Sequence, residues 1–376
     1  MKRILICTNS FYPSYKSGGP VRSLTNLVDL ISGKYSIDVY TRDRDLGDET
    51  SFKGIKVNSW SNKYKEASVF YSDGSISIKK LISDVFCKKY DVVYLNSFFD
   101  FKFSIIIYVL CLLGYINHKD IILAPRGELT KGAMSLKGFK KKVFLGMFLL
   151  FRLHKRIKFH LTSEQELRDF NAYIKTDNFI MCPNMHEPVP EYCNKEKNVN
   201  QLNVLFLSRI SKKKNLEYAI KILSKVHIPE GSEITFNIVG TIEDYSYFER
   251  CKFLASKVDN VEFIFHGAAT RSEVKDFMSN SHVFLLPTLN ENYGHAIVEA
   301  MVNSNIVIIS DNTPWNELNN FGGLAISLDD IVPFVKGIEK VLCMSNDEFN
   351  LATKNTYLFI KKSLSDNEEK IENFFG

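Results

Sequence analysis

Two glutamates with a glycine between them carry the clearest chemistry in the chain. Glu291 and Glu299 lie eight positions apart, so they do not share one helical face, but they can reach opposite ends of one bound ligand. Between them, Gly294 and His295 mark the predicted start of a helix. The first backbone N–H groups of a helix lack internal acceptors and carry the positive end of its dipole, so this loop suits an anionic group such as a diphosphate.

Two cations are predicted to lie near that loop. Arg209 and Lys214 follow the strand pattern at 203–207. Residues at the carboxyl ends of parallel strands face the ligand crevice in doubly wound sheets, and these two charges suit a diphosphate there. Lys212 and Lys213, which lie between them, are interpreted as a solvent-facing pair.

Alternating strand and helix patterns must position these residues. The patterns at 282–286 and 306–309 enclose the glutamate loop and predict a β-loop-α-β unit. The predicted strands of the second half are 203–207, 234–239, 261–265, 282–286, 306–309 and 323–326. Those of the first half are 4–7, 36–40, 54–57, 91–95, 121–124, 158–161 and 178–181. This alternation predicts an α/β protein with two Rossmann-like domains facing across a cleft.

A glycine pair opens the first predicted domain. Gly18 and Gly19 lie between the strand pattern at 4–7 and a helical pattern from Val21 onward, with Pro20 suited to the first turn. Because paired glycines let a ligand approach the backbone closely, this loop either faces a phosphate or a sugar or is a tight turn alone.

Chain length predicts more than one domain. A chain of 376 residues exceeds the size at which one hydrophobic core keeps growing. A polar segment with three prolines at 183–200 is predicted to be the linker. We therefore predict an N-terminal domain at 1–190, a C-terminal domain at 191–358, and a C-terminal helix at 359–376 that packs back on the N-terminal domain.

The glutamate motif resembles that of a known family. Glu291-Asn-Tyr-Gly, followed by Glu299 and Ala-Met, resembles the E-x7-E signature of retaining glycosyltransferases of the family 4 type, which use the two-domain GT-B fold. Similar pieces cover most of the chain: Gly18-Gly19, Ala124-Pro-Arg-Gly127, Thr162-Ser-Glu-Gln-Glu166, Pro183-Asn184, Ile238-Val-Gly240, His266-Gly267 and Ser310-Asp-Asn-Thr-Pro-Trp315. Coverage on that scale argues for common descent in both domains.

The resemblance implies a role for each part of the motif. The C-terminal domain would bind a UDP- or GDP-linked sugar, and the N-terminal domain would receive the acceptor. Glu299 would hold the ribose hydroxyls, and Glu291 would touch the donor hexose. The N–H groups near Gly294 and His295 would meet sugar or phosphate.

Further site residues are carried over in the same way. Arg209 and Lys214 match the cations that the family uses on the donor diphosphate, and Asn215 stands where the family usually has Gly. We therefore predict that Glu291, Arg209 and Lys214 act in catalysis. The predicted donor-binding residues are Glu299, Gly294, His295, Tyr293, Gly18 and Gly19.

Two residues of the first domain are acceptor-side candidates. Arg126 follows a predicted strand and either faces the acceptor or forms a structural salt bridge. Asn96 follows the strand pattern at 91–95, where many relatives place a His that faces the donor sugar. An amide offers a donor and an acceptor but cannot carry charge, which disfavours a mechanism that needs an imidazole at this position.

Metal-dependent chemistry is not expected. Asp43 and Asp45 imitate the D-x-D metal motif of the other glycosyltransferase fold, but they follow an early strand in the half expected to receive the acceptor, and we interpret them as a polar loop. The eight histidines show no ligand spacing. Arg209, Lys214 and the helix N-terminus would stabilise the diphosphate, so no metal and no other cofactor is predicted.

One segment is strongly basic. Residues 129–163 contain nine Lys or Arg and no Asp or Glu, so they contribute +9 and leave 5 − 9 = −4 for the rest. Lys137-Gly-Phe-Lys-Lys-Lys142, the apolar run 143–151 and Arg152, Lys155 and Arg156 predict a cationic apolar helix. It either lies on an anionic membrane surface or is a core helix with basic ends.

The expected location follows from the same features. The longest apolar run, 105–113, is shorter than the roughly 20 residues that a spanning helix needs, and the N-terminal apolar run is too short for a signal peptide. We therefore expect a cytoplasmic protein, peripheral on the inner face of the cell membrane. No nucleic-acid-binding motif accompanies the basic segment, so nucleic acid is not an expected partner.

These features favour an enzyme that moves a hexose from a nucleotide-sugar to a polyprenyl-diphosphate-linked glycan acceptor in bacterial surface polysaccharide biosynthesis, for O-antigen or capsule. Retention at the anomeric carbon is implied by the resemblance. Two alternatives stay open: a nucleotide-sugar epimerase of the same fold, and a non-catalytic nucleotide-sugar-binding protein at the membrane. No G-x-G-x-x-G follows the first strand, which disfavours an NAD oxidoreductase.

Overall fold

The computed structural model describes residues 1–130, 133–134, 138–372 and 374–375, with the backbone alone for 62–63 and 367–372. The chain divides into two compact units. Unit 1 comprises Met1–Glu187 with Asn367–Gly376, and unit 2 comprises Pro188–Asp366. The first division falls inside the polar segment 183–200, three residues before the predicted boundary at 190.

Unit 1 is built on one sheet flanked by helices. Its strands are β1 (Arg3–Cys7), β2 (Ser36–Arg42), β3 (Trp60–Tyr64), β4 (Ala67–Ser72), β5 (Tyr90–Asn96), β6 (His118–Ala124), β7 (Lys158–Leu161) and β8 (Phe179–Met181). The strand order is β3-β4-β2-β1-β5-β6-β7-β8, and all neighbours are parallel except β3 and β4. Its helices are α1 (Gly19–Ile31), α2 (Ile78–Lys80), α3 (Ile106–Leu112), α4 (Gly138–Leu150) and α5 (Glu164–Asn171), with π-helical turns at Leu81–Val85 and Phe101–Ile105 and a 3-10 turn at Leu153–Arg156.

The apolar run of β1 explains why that strand is central. Ile4 and Ile6 point into the core on one side of the sheet, whereas Leu5 and Cys7 point into the core on the other side. Successive side chains of a strand alternate between faces, so only a strand covered on both sides is apolar at every position.

Unit 2 repeats the pattern with a six-stranded sheet. Its strands are β9 (Gln201–Leu207), β10 (Glu233–Val239), β11 (Glu262–Gly267), β12 (Val283–Leu286), β13 (Ile306–Ser310) and β14 (Leu324–Ile326), all parallel, in the order β11-β10-β9-β12-β13-β14. Its helices are α6 (Leu216–Leu223), α7 (Tyr245–Ala255), α8 (Arg271–Asn280), α9 (His295–Val302), α10 (Val332–Cys343) and α11 (Asn346–Glu372), with 3-10 turns at Lys212–Lys214 and Asn316–Asn320. The residues of α11 after Asp366 belong to unit 1.

The prediction of an α/β protein with two Rossmann-like domains is confirmed. One predicted strand is wrong: residues 54–57 form no strand, because Gly54 and Val57 lie in turns and the two residues between them pair with no neighbour in a sheet, and the hairpin of β3 and β4 follows. Gly54 has φ +73°, a left-handed conformation that interrupts an extended strand. Ile55 and Phe52 nevertheless pack against the core, which is why the segment imitates a strand in sequence.

The C-terminal residues complete the core of unit 1. Phe374 and Phe375 are buried, and the ring of Phe374 lies 4.6 Å from that of His160. The Phe375 carbonyl accepts a hydrogen bond from Lys2 Nζ at 3.1 Å. Phe374 and Phe375 therefore belong to the hydrophobic interior of unit 1, whereas the helix predicted at 359–376 begins earlier, at Asn346.

Candidate active site

The sheet order of unit 2 brings the predicted donor residues together. Strands β9, β12 and β13 are adjacent in the sheet and parallel, so their carboxyl ends lie at one edge. The loop after β9 carries Arg209 and Lys214, and the loop after β12 carries Glu291. The carboxyl edge of such a sheet is where ligands bind in open α/β folds.

Backbone hydrogen bonds join these loops directly. The Lys213 carbonyl accepts from the Leu289 N–H at 2.8 Å and from Thr288 Oγ1 at 3.1 Å. The Glu291 N–H donates to the carbonyl of Asn312, in the loop after β13, at 2.9 Å. Three consecutive strand ends therefore form one connected rim in unit 2.

Gly294 gives the rim its shape. It has φ +78° and immediately precedes α9, which begins at His295 as predicted. A Cβ placed on Gly294 would lie 2.7 Å from Ile297 Cδ1 and 3.1 Å from Glu291 Cγ, so any side chain here would push against the loop that carries Glu291. Only glycine fits both the conformation and the space, and the turn leaves the first N–H groups of α9 at the rim.

Lys214 and Glu291 form an ion pair across the rim. The contact joins Lys214 Nζ to Glu291 Oε2, and the two side chains are only 10% and 17% exposed. Charges this far removed from water require compensation, and each of these two compensates the other. The predicted diphosphate cation and the predicted hexose-binding carboxylate therefore contact each other directly.

Arg209 lies in a more open environment. Its Nη1 is 3.1 Å from Glu243 Oε2, with both side chains nearly half exposed. Glu243 follows β10, next to β9 in the sheet, and the Ile210 N–H donates to the Thr241 carbonyl at 2.8 Å. Sequence reasoning missed Glu243 because no spacing rule links it to Arg209.

A second close backbone approach brings β10 to the rim. Gly240 has φ +155°, and a Cβ there would lie 1.8 Å from the Ser208 carbonyl oxygen. The family-like Ile238-Val-Gly240 piece is explained by this contact, because any side chain at position 240 would separate the loop after β10 from the loop that carries Arg209.

Three other predicted donor residues lie on or beside α9. Glu299 and His295 are half-buried. Tyr293 is buried, its ring 5.6 Å from that of Trp315, and its carbonyl accepts from Trp315 Nε1 at 2.5 Å. Burial raises the pKa of the Tyr293 hydroxyl, which has no hydrogen-bond partner among the described residues.

In unit 1, the predicted glycine loop precedes α1. Gly18 has φ +66° with open space beside it, and Gly19 is the first residue of α1. The preceding turn is held by Asp45, which accepts from the backbone N–H groups of Tyr15 at 2.8 Å and Lys16 at 3.1 Å.

The two aspartates that imitate a metal motif have structural roles. Asp45 also accepts from Ser14 Oγ at 2.6 Å, and Asp43 accepts from Arg44 Nε at 2.8 Å and from Ser51 Oγ. Both are buried in the loop that follows β2, where their hydrogen bonds hold the local backbone and neighbouring side chains. Across the described part of the chain, no group of three or more His, Cys, Asp or Glu has the arrangement of a metal site.

The two acceptor-side candidates contact each other in unit 1. Arg126 Nε donates to Asn96 Oδ1 at 2.7 Å, Nη2 donates to the Tyr94 hydroxyl at 2.8 Å, and Nη1 donates to Asn184 Oδ1. No described carboxylate lies within 4.0 Å of this guanidinium, so the interpretation as a structural salt bridge is wrong.

Behind Arg126 lies a buried, neutral histidine. His160 Nε2 is 2.7 Å from the Cys182 carbonyl, so it carries the proton, and Nδ1 accepts from the Tyr94 hydroxyl at 2.8 Å. Burial, reinforced by the nearby Arg126 cation, lowers the pKa of His160 to about 3. Sequence reasoning placed His295 alone among the histidines in the site and missed His160, whose only signal was its position in β7.

Comparison with known proteins matches part of unit 2 to a family model. Residues 193–356 match the family model described as Glycosyl transferases group 1. The matched region lies within unit 2 and contains the whole rim. The similarity to that family therefore covers the part of the chain that holds the rim.

One curated relative matches part of the chain. It is an uncharacterized 41.2 kDa protein in the cps region of Klebsiella pneumoniae, 26% identical over 141 residues. The alignment covers 37% of this chain and 36% of that protein. The chain thus aligns with about a third of the length of the curated relative it matches.

Solved structures match nearly the whole chain. A crystal structure of HepE from Anabaena in complex with UDP and glucose has a TM-score of 0.71 at 14% identity, covering 100% of this chain and 99% of that one. Sucrose-phosphate synthase from Thermosynechococcus elongatus has a TM-score of 0.67 at 13% identity, covering 100% and 98%. WaaG, a glycosyltransferase involved in lipopolysaccharide biosynthesis, has a TM-score of 0.62 at 15% identity, covering 99% of each chain. The fold is GT-B, and together with the domain match it supports a GT-B glycosyltransferase.

Proposed function

We propose that this chain is a retaining hexosyltransferase of the family 4 type, which moves a hexose from a UDP- or GDP-linked sugar to a polyprenyl-diphosphate-linked glycan in O-antigen or capsule biosynthesis. The observation that carries the proposal is the rim of unit 2, where the buried pair of Lys214 and Glu291 adjoins Gly294 and the N-terminus of α9. Support for a polysaccharide pathway comes from the cps-region relative and from the fold shared with WaaG.

The ion pair fits a donor-driven exchange of partners. The donor diphosphate would replace the Glu291 carboxylate beside Lys214, which frees Glu291 to accept hydrogen bonds from the hexose hydroxyls. Arg209 and the first N–H groups of α9 would complete the diphosphate site, and Glu299 would hold the ribose.

In the reaction, the bond between the anomeric carbon and the diphosphate oxygen breaks and a bond to the acceptor oxygen forms on the same face of the sugar. The diphosphate gains charge as it leaves, so Lys214, Arg209 and the helix N-terminus stabilise the transition state more than the bound donor. The leaving phosphate accepts the proton of the acceptor hydroxyl. No side-chain nucleophile, metal or other cofactor is assigned.

The test is turnover of UDP- and GDP-hexoses by the purified protein, with and without a polyprenyl-diphosphate-linked glycan, in the presence of EDTA. We expect acceptor-dependent release of the nucleotide and a product whose anomeric configuration, read by NMR, equals that of the donor. Donor turnover to an epimer without acceptor would identify an epimerase. Donor binding with no turnover under either condition would identify a non-catalytic sugar-nucleotide protein, and activity that requires a divalent ion would contradict metal independence.

A membrane-bound acceptor fits the surface of α4. Its inner face packs into unit 1 through Leu145 and Phe148, with the ring of Phe148 5.1 Å from that of Phe98. Its outer face is also apolar. The exposed residues, spaced at helical intervals, are Phe139, Val143, Met147, Leu150 and, just after the helix, Phe151. No helix in the described part of the chain combines the length and apolarity needed to cross a bilayer.

Charge supports an anionic lipid surface as the occupant of this face. Lys140, Lys142 and Arg152 are exposed beside the apolar residues, and Lys155 and Arg156 follow. Each basic residue near an anionic bilayer contributes roughly 1 kcal/mol. Lys137, the first residue of the predicted basic helix, lies outside the described residues.

Lys141 has a different role from its neighbours. It is half-buried, with Nζ 2.7 Å from the Ala133 carbonyl and 4.8 Å from the centre of the Phe99 ring. Changing it would disturb unit 1 itself, so a clean test of membrane binding changes Lys140 and Lys142 and leaves Lys141 in place.

The membrane test is co-sedimentation with anionic and neutral vesicles. We expect binding to anionic vesicles that falls at high salt, in the Lys140→Glu/Lys142→Glu variant and in a Phe139→Ser/Leu150→Ser variant. The matched control is Lys354→Glu/Lys362→Glu, which makes the same charge change at exposed positions of α11. Equal loss in the control would show that net charge alone matters, and equal binding to neutral vesicles would contradict the electrostatic part of the proposal.

A further inference from the structure

We infer that Arg126 is an anion-binding residue of unit 1 and that it takes a negatively charged group, a phosphate or a carboxylate, of the acceptor substrate. The inference rests on the proposed function, since it specifies the class of acceptor, but it is carried by a separate set of contacts in the other unit.

The guanidinium is held in place by neutral groups. Its three described acceptors are the side-chain oxygens of Asn96, Tyr94 and Asn184. An arginine has five N–H donors, so two of them, one on Nη1 and one on Nη2, have no described acceptor. The group is therefore fixed in orientation and incompletely satisfied.

No described counter-charge neutralises it. The nearest acids in sequence are engaged elsewhere: Glu128 accepts from Ser97 Oγ at 2.8 Å and from the Phe98 N–H at 2.7 Å, and Glu166 accepts from the N–H of Gly127 at 2.6 Å and of Thr162 at 2.8 Å. Arg126 is half-buried, and a cation that is partly removed from water without a paired anion attracts one.

The backbone conformation of Arg126 is a second, independent indication of a ligand site. Arg126 has φ +54°, a left-handed conformation that is unfavourable for a residue with a Cβ. The following Gly127 also has a positive φ, +72°. Such strain persists where the surrounding structure imposes it, and it clusters at ligand sites. Here it sets the guanidinium at the carboxyl ends of β5 and β6, whose last residues are Asn96 and Ala124.

The geometry of the guanidinium indicates which class of ligand it binds. A planar guanidinium with free N–H donors matches an oxyanion and forms charge-assisted hydrogen bonds with it. Two parts of a lipid-linked glycan acceptor could supply that oxyanion: the diphosphate of the lipid carrier or the carboxylate of an acidic sugar.

Asn184→Asp separates a ligand role from a structural one. The substitution keeps the size of the side chain and the hydrogen bond to Nη1, and it places a carboxylate against Arg126. If Arg126 only joins β5 to the segment after β8, the variant loses nothing and gains an ion pair. If Arg126 binds an anion, the new carboxylate competes with it, and anion binding weakens while the fold is retained.

The experiment measures dissociation constants by calorimetry for geranyl diphosphate, methyl glucuronide and, as the uncharged control, methyl glucoside. We expect one or both anions to bind the wild-type protein, and Asn184→Asp to weaken that binding about tenfold or more with an unchanged or higher unfolding temperature. Arg126→Lys should weaken it as well, because an ammonium cannot keep the three fixed contacts. Binding of the diphosphate alone identifies the lipid carrier as the source, and binding of the glucuronide alone identifies an acidic sugar.

A variant of unit 2 excludes the donor site as the place of binding. Anion affinity that is lost in Lys214→Ala but retained in Asn184→Asp overturns the inference, as does equal affinity for methyl glucoside or no anion binding at all. Donor turnover measured in the same variants keeps the two hypotheses apart. If donor turnover persists and Asn184→Asp does not change anion binding, the result contradicts this inference and leaves the proposed reaction intact.

Discussion

The two units hold their site cations in opposite ways. In unit 2, Lys214 and Arg209 each contact a carboxylate, Glu291 and Glu243 respectively. In unit 1, Arg126 contacts neutral oxygens only. In the proposed reaction the donor would displace an internal carboxylate of unit 2, whereas an anion bound by unit 1 would meet a cation already fixed in place.

The largest expected effect lies in the buried pair of unit 2. Lys214→Ala should lower kcat by about a hundredfold or more, because the lysine would stabilise charge that grows on the leaving diphosphate in a site largely screened from water. Arg209→Ala should have a smaller effect. The Arg209 side chain is 45% exposed, so water screens its charge and its loss removes less stabilisation of the diphosphate. Steady-state kinetics with the UDP- or GDP-hexose that the turnover assay identifies as the donor measures both.

The matched control for this pair is Lys212→Ala, an exposed lysine in the same loop. It should leave kcat unchanged. If Lys214→Ala behaves like Lys212→Ala, the buried ion pair is only structural, and the contrast between the two units loses its catalytic meaning.

Glu299→Gln tests whether Glu299, which lies on α9, belongs to the donor site. We expect donor KM to rise about tenfold with little change in kcat, because a carboxylate accepts stronger hydrogen bonds from ribose hydroxyls than an amide does. Glu249→Gln, on the exposed face of α7, is the control. An unchanged donor KM would remove Glu299 from the site.

The buried histidine of unit 1 gives a smaller, pH-dependent effect. Its folded-state pKa of about 3 lies below its ordinary value of 6.5, so in the pH range between these values the unfolded chain binds a proton that the folded chain does not. The free energy of unfolding therefore keeps its full value above pH 6.5 and decreases as the pH falls toward 3. His282 of unit 2, whose pKa burial lowers to about 4, contributes with the same sign.

Thermal unfolding between pH 7 and pH 4 measures this dependence. His160→Gln should reduce the fall in unfolding temperature on acidification, and His227→Gln, at an exposed position, should leave the fall unchanged. The same acid sensitivity in His160→Gln and in the wild-type protein would show that His160 is not the group responsible.

Local patterns predicted most of the fold because they report burial and chain direction. Four apolar residues in succession predicted a strand covered on both faces at 4–7, and the glycine before an apolar helical spacing predicted the start of α9. Residues 54–57 were mistaken for a strand because Ile55 packs on the core although the segment joins no sheet. A pattern of apolar residues cannot distinguish a strand from an irregular segment that packs on the core when a glycine with a positive φ is read as a strand residue.

The site contacts were harder to predict because they join residues far apart in sequence. Arg126 and Asn184 are 58 positions apart, Tyr94 and His160 are 66 apart, and Lys214 and Glu291 are 77 apart. Spacing in a βα alternation predicts which residues lie at a strand end, but strand order decides which ends are neighbours. That is why Arg126 and Asn96 were both selected, while their contact and the role of Asn184 were not.

The smallest expected effect concerns backbone strain, which again differs between the units. Asn215, where the resemblance places a glycine, has φ +58° and precedes α6, and Arg126 has a similar φ of +54°. Asparagine tolerates the left-handed region far better than arginine does. Asn215→Gly should therefore change the free energy of unfolding by less than about 0.5 kcal/mol, because relief of residual strain offsets the entropy that glycine gains in the unfolded chain. Asn215→Ala should destabilise by about 1 kcal/mol, since alanine has no polar side chain to favour this conformation. Urea unfolding measures both. A large loss in Asn215→Gly would mean that the amide itself holds the loop of Lys214, and the family's glycine would then not be equivalent at this position.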